Sequence, residues 1–245
     1  MKNKKSLGQN WLKNREILEK IADYAGEGLL CVEIGPGLGF LTSSLFRRFE
    51  KVIAVEFDRD LAQKLPGSFP GKNLEVVNED ILKFDFERVP QPFVVAGNIP
   101  YYITSPIIEK LLTLKTKPVK IVLLVQKEVA ERVVSDKETV LSLFVKNRAK
   151  VTAGPVVART EFTPPPKVDS QVLVMEPLEK PVVNDEVFKL IKAGFAAPRK
   201  KLTHNLSKMR SKEELEKIFE ELGLDLNVRP SDLTLKDWAR LQLVL

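Results

Sequence analysis

Leu30-Cys31-Val32-Glu33-Ile34-Gly35-Pro36-Gly37-Leu38-Gly39 is an apolar run of strand length that breaks into three alternate glycines. A strand, a glycine loop and a following helix together form a place where backbone N–H groups meet a nucleotide-like ligand. A dinucleotide fingerprint, G-x-G-x-x-G, needs its third glycine at Phe40, whereas here it stands at Gly39. The spacing therefore departs from the pyrophosphate-binding pattern, and taken alone it also fits a tight strand-to-helix turn.

Outward from this loop, short apolar runs alternate with helical stretches. Strands are expected over residues 30–34, 52–56, 74–77, 93–97 and 120–125, and helices from near Gly39, Asp58, Thr104, Lys127 and Thr139. A helical pattern at Ile17, Leu18, Ile21 and Ala22, ended by Gly26, precedes them. Strict alternation predicts an α/β fold with a parallel, doubly wound sheet that binds ligands at the carboxyl ends of its strands. Residues 150–158 and 168–175 flank Phe162-Thr-Pro-Pro-Pro-Lys167 with little room for a helix, and read as an antiparallel pair closing one sheet edge. Beyond Pro177 the pattern turns helical. Ser211 and Glu214 make a capping box, Leu215, Ile218, Phe219 and Leu222 a stripe, and Gly223 a stop. Thr234 caps a last helix with Leu235, Trp238, Leu241 and Leu245 on one face. The expected division is an α/β domain over 1–177 and a small all-α domain over 178–245.

A chain of 245 residues can bury a full core. The basic residues at 1–5 are followed by Ser-Leu-Gly-Gln-Asn rather than an apolar signal-peptide core, and no run approaches the ~18 apolar residues of a membrane span. A cytoplasmic location is the expectation. One cysteine, Cys31, excludes an internal disulfide, and with His204 the lone histidine there is no Cys/His metal cluster to propose. The net charge of +6 is unevenly spread: residues 189–212 hold eight Lys or Arg and no acid, and residues 1–20 six against two, so the remainder is net acidic. Two basic segments on an otherwise acidic chain point to a polyanionic partner.

Strand ends carry the chemistry. A carboxylate at Glu56, ending the second strand, suits two ribose hydroxyls, and Asn78-Glu-Asp80-Ile81 after the third sets an acid and an apolar side chain where an adenine would lie. Gly35, Glu56, Asp80 and Asn98 close four successive strands, and in a parallel sheet those ends converge on one crevice. Acids there suit a cationic sulfonium better than a pyrophosphate, which makes S-adenosylmethionine the candidate cofactor. After the fourth strand comes Asn98-Ile99-Pro100-Tyr101. An adenine N6 is a poor nucleophile because its lone pair is delocalised into the ring. The Asn98 side-chain oxygen and the Ile99 carbonyl can accept its two hydrogens. Pro100 biases Ile99 towards an extended conformation, and Tyr101 offers a π face for the base.

With these residues in view, the chain resembles the KsgA family of rRNA adenine dimethyltransferases over nearly its whole length. The resemblance rests on Lys5-Ser-Leu-Gly-Gln-Asn-Trp-Leu12, Val32-Glu-Ile-Gly-Pro-Gly-Leu-Gly39, Val55-Glu-Phe-Asp-Arg-Asp60, Gly97-Asn-Ile-Pro-Tyr101, Gln126-Lys-Glu-Val-Ala130 and Phe162-Thr-Pro-Pro-Pro-Lys-Val-Asp-Ser170. It implies a Rossmann-like class I S-adenosylmethionine-dependent methyltransferase domain. It further implies that Asn10, Leu12, Gly35, Gly37, Glu56, Asp80 and Asn98 hold the cofactor, with Phe57 and Ile81 against its adenine. Asn98, Ile99, Pro100 and Tyr101 would hold the target base, with Phe162 as a second aromatic wall, although Phe162 read without the family is a core residue at a strand end. Phe195-Ala-Ala-Pro-Arg-Lys-Lys-Leu-Thr-His-Asn-Leu206 resembles the family's basic segment, so Arg199, Lys200 and Lys201 are expected on RNA. His204 stands where an Asn is usual.

The implied reaction is dimethylation of two adjacent adenosines in the terminal hairpin loop of 16S rRNA within a 30S precursor, by a monomer without a metal. Two other readings stand beside it. An erythromycin-resistance type enzyme would use the same fold and reaction on large-subunit rRNA, and an assembly factor would bind nucleic acid with methylation incidental.

Overall fold

This computed structural model describes residues 8–245, so the basic residues at 1–5 and the first three residues of the Lys5–Leu12 motif lie outside the described residues. A two-residue strand β1 (Trp11–Leu12) precedes helix α1 (Arg15–Ala25). Then β2 (Gly28–Ile34), α2 (Phe40–Leu45), β3 (Phe49–Val55), α3 (Arg59–Lys64), β4 (Leu74–Val77), β5 (Val94–Asn98), α4 (Thr104–Thr113), β6 (Lys120–Gln126) and α5 (Lys127–Val134) follow, alternating except that a 3₁₀ turn at Phe86–Arg88 stands in place of a helix between β4 and β5. The cap residues explain the starts. Asn14 accepts the N–H groups of Glu16 and Ile17, and Asp58 that of Asp60, while Gly39 enters α2 from the left-handed region.

Helix α6 (Val140–Lys146), strand β7 (Ala149–Val157), a two-residue strand β8 (Phe162–Thr163) and β9 (Ser170–Pro177) follow. The main sheet has the order β4-β3-β2-β5-β6-β9-β7. β4, β3, β2, β5 and β6 run parallel, and β9 is antiparallel to β6. The order reverses between β2 and β5, and that switch point opens a crevice at their carboxyl ends. Sheet strands covered on both faces read as continuous apolar runs, and Ile121 to Val125 are all fully buried. Gly97 is dictated by proximity: it pairs with Ile34, and a Cβ there would lie 2.7 Å from the Ile34 carbonyl oxygen.

The antiparallel edge forms as expected, but β8 leaves it. Phe162 and Thr163 pair antiparallel with Leu12 and Trp11, forming a separate two-stranded ribbon. Pro164, Pro165 and Pro166 lack N–H groups and cannot extend this ladder, which keeps it short.

Two compact units form: the α/β unit up to Glu131 with Lys150–Pro177, and a helical unit of Arg132–Ala149 with Leu178–Leu245. The units divide between Pro177 and Leu178, but residues 132–149 fall with the helical unit rather than with 1–177, α6 among them. Its residues Val140, Leu143 and Phe144 pack into the same apolar cluster as Val187, Phe188 and Ile191 of α7 (Glu186–Gly194). The Asn147 side chain accepts from Val183 N–H at 2.7 Å and donates to the Val183 carbonyl at 3.1 Å, fastening α6 to the chain entering α7. Helices α8 (Leu202–Leu206), α9 (Lys212–Leu222) and α10 (Leu235–Val244) complete this unit around the fully buried Trp238. The capping boxes of Ser211 with Glu214 and Thr234 with Asp237 both form, and Gly223 takes the left-handed conformation that ends α9.

Candidate active site

A cavity of about 230 Å³ opens at the switch point of the α/β unit. Its floor is the loop after β2, where Gly35, Gly37 and Gly39 have φ of +65°, +59° and +83°. Alternating left-handed residues turn successive peptide groups into a concave, anion- and dipole-binding surface that a side chain at these positions would strain. Gly39 is also a packing requirement, since a Cβ would come within 2.7 Å of the Phe69 ring.

Glu56, just past β3, is only 6 % exposed and braces this loop. One carboxylate oxygen accepts the Gly37 N–H at 3.0 Å and the other the Asp58 N–H at 2.8 Å. Each oxygen keeps a lone pair that a ligand hydroxyl can use. Burial raises the Glu56 carboxyl above its ordinary value, while the backbone N–H groups of Asp58 and Gly37 oppose that shift. Asn78 donates to the carbonyls of Glu56 (2.8 Å) and Phe57 (3.2 Å), tying the ends of β3 and β4 together. Beyond it, Asp80 accepts the Leu82 N–H at 2.9 Å, and Ile81 is buried at the cavity wall. Lys110 of α4 donates to the carbonyls of Leu82 (2.8 Å) and Phe84 (2.7 Å), which holds the Asp80 loop against the helix that follows Tyr101.

The opposite wall is the loop after β5. Asn98 donates its side-chain amide to the Asn10 carbonyl at 3.1 Å, so its amide oxygen is left as the acceptor. Ile99 is buried, Pro100 is extended (φ −62°, ψ 132°), and Tyr101 opens a short 3₁₀ turn. The Tyr101 hydroxyl lies 2.6 Å from the hydroxyl of fully buried Ser170 on β9. Burial pushes this phenol up, the Ser170 contact opposing and Asp169 adding to the shift, and the Ser170 contact anchors the end of the ring.

Residues 8–14 form a strap, of which 8–12 line the cavity. Gln9 donates to Asp58 at 2.9 Å, Asn14 to Glu161 at 2.9 Å, and β1 pairs with β8. Asn10, Leu12, Gly35, Gly37, Glu56, Phe57, Asp80 and Ile81 therefore share one cavity with Asn98, Ile99, Pro100 and Tyr101. Phe162 is 3 % exposed, belongs to the main core cluster with Leu12, its partner on β1, and is not among the residues that line this cavity. Arg199, Lys200 and Lys201 are exposed in the other unit, on the turn before α8, where Asn205 donates to the Gly194 and Ala197 carbonyls.

With that geometry in place, the profile of a ribosomal RNA adenine dimethylase matches residues 1–245. The chain belongs to the ribosomal RNA adenine dimethylase family. It is 39 % identical to the Ribosomal RNA small subunit methyltransferase A of Lactobacillus johnsonii, over 97 % of this chain and 89 % of that protein. Among solved structures, a dimethyladenosine transferase from Plasmodium falciparum superposes with a TM-score of 0.81 at 30 % identity, covering 95 % of this chain and 96 % of that one. The 23S rRNA methyltransferase ErmE gives a TM-score of 0.77 at 26 % identity, covering 96 % and 99 %. The dimethylase fold is thus that of the class I methyltransferases, which use S-adenosylmethionine.

Sequence reasoning did not single out several residues in or near this dimethylase site. Tyr102 lies on the cavity wall yet is 64 % exposed. Trp11 covers Gly37, and Lys110 holds the Asp80 loop. Glu33 is 1 % exposed, and burial raises its carboxyl to about 8, with Thr42 opposing and Glu56 adding to the shift. The only advance signal for Glu33 was a charge inside an apolar strand. Among the described residues no group of three or more His, Cys, Asp or Glu is arranged to hold a metal, and no helix is long and apolar enough to cross a membrane.

Proposed function

We propose that this chain transfers methyl groups to N6 of two adjacent adenosines in the 3′-terminal hairpin loop of small-subunit rRNA, acting as a cytoplasmic monomer on a 30S precursor. The observation that carries the reading is a single cavity lined by Glu56 and Asp80 on one side and the Asn98–Tyr101 loop on the other. Both the relative named for the small-subunit RNA and the ErmE structure match nearly the whole chain, the first at 39 % identity and the second at 26 %.

S-adenosylmethionine supplies an electrophilic methyl group on a sulfonium. Glu56 would take its ribose hydroxyls, the glycine loop and the strap residues Asn10 and Leu12 its amino-acid end, and Phe57 and Ile81 its adenine, with Asp80 at the adenine edge. Across the cavity, the Asn98 amide oxygen and the Ile99 carbonyl would accept the two N6 hydrogens and favour a tetrahedral nitrogen whose lone pair is localised, out of conjugation with the ring, and directed at the methyl group. Tyr101 would stack on the extruded base, which helps offset the unstacking cost of a few kcal/mol. Holding both reactants in this geometry can contribute up to ~7–11 kcal/mol. As the N–C bond forms and the C–S bond breaks, the nitrogen becomes cationic and releases its proton to water. Once S-adenosylhomocysteine has left and a second S-adenosylmethionine has bound, the pocket would admit the monomethylated base for a second transfer. Arg199, Lys200 and Lys201 would bind rRNA phosphates and orient the particle without reading sequence.

The test is mass mapping of labelled methyl groups on small- and large-subunit particles incubated with the protein and labelled S-adenosylmethionine. Two adjacent dimethylated adenosines near the 3′ end of the small-subunit RNA are expected. Label confined to large-subunit RNA would transfer the assignment to the erythromycin-resistance class.

A further inference from the structure

Phe162 is 3 % exposed, so of the aromatics near the site it offers little ring surface to a further base. Tyr102 does offer one. It follows Tyr101 in the same 3₁₀ turn, yet the two side chains lead apart: Tyr101 reaches Ser170 on β9, whereas Tyr102 lies against the strap. A Cβ added to Gly8 would lie 3.3 Å from the Tyr102 ring and 3.5 Å from Pro100, so the ring has backbone close beside it. Gly8 itself takes φ +63°, a conformation that favours glycine. The remainder of the ring is open: Tyr102 is 64 % exposed while lining the cavity wall.

A lone exposed tyrosine needs no explanation. One steadied by neighbouring backbone at the rim of a base-sized cavity, next to the aromatic that faces the target, is a preformed stacking platform. Its ring loses little rotamer entropy when a second flat ring covers it, and stacking tolerates any base because every base has a π face.

Resting on the function proposed above, we infer that Tyr102 forms a second subsite that stacks the nucleotide adjacent to the target, here the neighbouring adenine, outside the reaction pocket. The two tyrosines thus divide the work, Tyr101 facing the base being methylated and Tyr102 holding its neighbour. Because Tyr102 touches no reacting atom, it acts on RNA affinity and not on the transfer step. Its hydroxyl is dispensable; its ring is not.

The experiment compares wild type, Tyr102→Phe and Tyr102→Ala in steady-state methylation of small-subunit particles, alongside calorimetric titration of each with S-adenosylhomocysteine. Loss of one base–aromatic stack corresponds to roughly 5- to 100-fold. Tyr102→Ala is expected to raise KM for particles by that factor with kcat within about threefold. Tyr102→Phe should stay near wild type, and S-adenosylhomocysteine should bind all three within about twofold. An unchanged KM in Tyr102→Ala, a Phe variant as impaired as the Ala variant, or a parallel loss of S-adenosylhomocysteine binding would overturn the inference. A wild-type protein that places no methyl groups on the particles overturns the parent reading as well, and so is distinguishable from a wild-type enzyme that is merely insensitive to Tyr102→Ala.

Discussion

The Asn98 side-chain nitrogen donates to the backbone carbonyl of Asn10 across 3.1 Å, joining the loop after β5 to the strap that lines the cavity. This bond orients an otherwise reversible amide and leaves its oxygen as an acceptor. Truncation to alanine removes that acceptor and its orientation together. Losing one preorganised polar group aimed at the reacting atom typically costs 10²–10³ in rate. Asn98→Ala is expected to lower kcat for methyl transfer by at least about 100-fold, and Asn98→Asp comparably, because a carboxylate would face the Asn10 carbonyl with no hydrogen to donate. Single-turnover assays check this, and a variant within tenfold of wild type would remove Asn98 from the chemistry.

Glu56 has two duties, bracing Gly37 and Asp58 and offering lone pairs to a ribose. Glu56→Gln puts an amide NH₂ against one of those backbone N–H groups, leaving a buried donor unsatisfied at a cost of about 1–3 kcal/mol. Calorimetry with S-adenosylhomocysteine should show affinity falling about 10- to 100-fold, with a lowered melting temperature. An affinity within twofold of wild type would contradict the ribose assignment.

Glu33 predicts a pH dependence of stability. Its folded carboxyl is raised to about 8 from 4.5, so between those values the folded chain keeps a proton that the unfolded chain has released. Stability from this group therefore falls as pH rises through that window, by about 1.4 kcal/mol per unit, and is level below and above it. Glu56, also raised, acts in the same direction. Glu33→Gln cannot ionise. Urea unfolding at pH 5.5, 6.5 and 7.5 should show the variant gaining on wild type at each step, and a constant difference would mean that Glu33 is ionised in the fold.

Gly97→Ala tests the close approach of β5 to β2. The new methyl group would meet the Ile34 carbonyl at 2.7 Å and Ile34 Cβ at 3.1 Å, one residue before Asn98. Overpacking of this kind costs typically 1–3 kcal/mol. Denaturant unfolding should show that loss, with activity falling further than stability because Asn98 is displaced.

Salt dependence tests the basic turn. Neutralising Arg199, Lys200 and Lys201 together should weaken RNA binding and flatten the slope of log K against log salt by roughly 0.7–0.9 for each phosphate that the turn no longer neutralises. Equal slopes for wild type and the triple variant would rule this turn out as a phosphate-binding surface.

The parallel sheet and most of the cavity were legible in the sequence because their signals are local. Apolar runs of strand length, glycines, and an acid or amide closing each run identify strand ends, and topology alone brings those ends together. What escaped was set by interactions between distant residues. Phe162 reads locally as a core residue at a strand end, and it is buried so, but nothing local reveals that its partner is Leu12, 150 residues earlier. Chain continuity assigns helix α6 to the first domain, whereas its Val140, Leu143 and Phe144 face packs it into the second. Lys110 acts through the Leu82 and Phe84 carbonyls that it holds, and sequence spacing shows neither that contact nor the place of Tyr102 beside Gly8.

The most direct test of the central claim, that donor and acceptor sites face each other across one cavity, is a crystal structure with S-adenosylhomocysteine bound. The ribose hydroxyls are expected on Glu56, the adenine against Ile81 and Phe57, and the sulfur turned towards the amide oxygen of Asn98 and the carbonyl of Ile99. A ligand seated away from Glu56, or with its sulfur facing away from the Asn98–Tyr101 loop, would contradict the account.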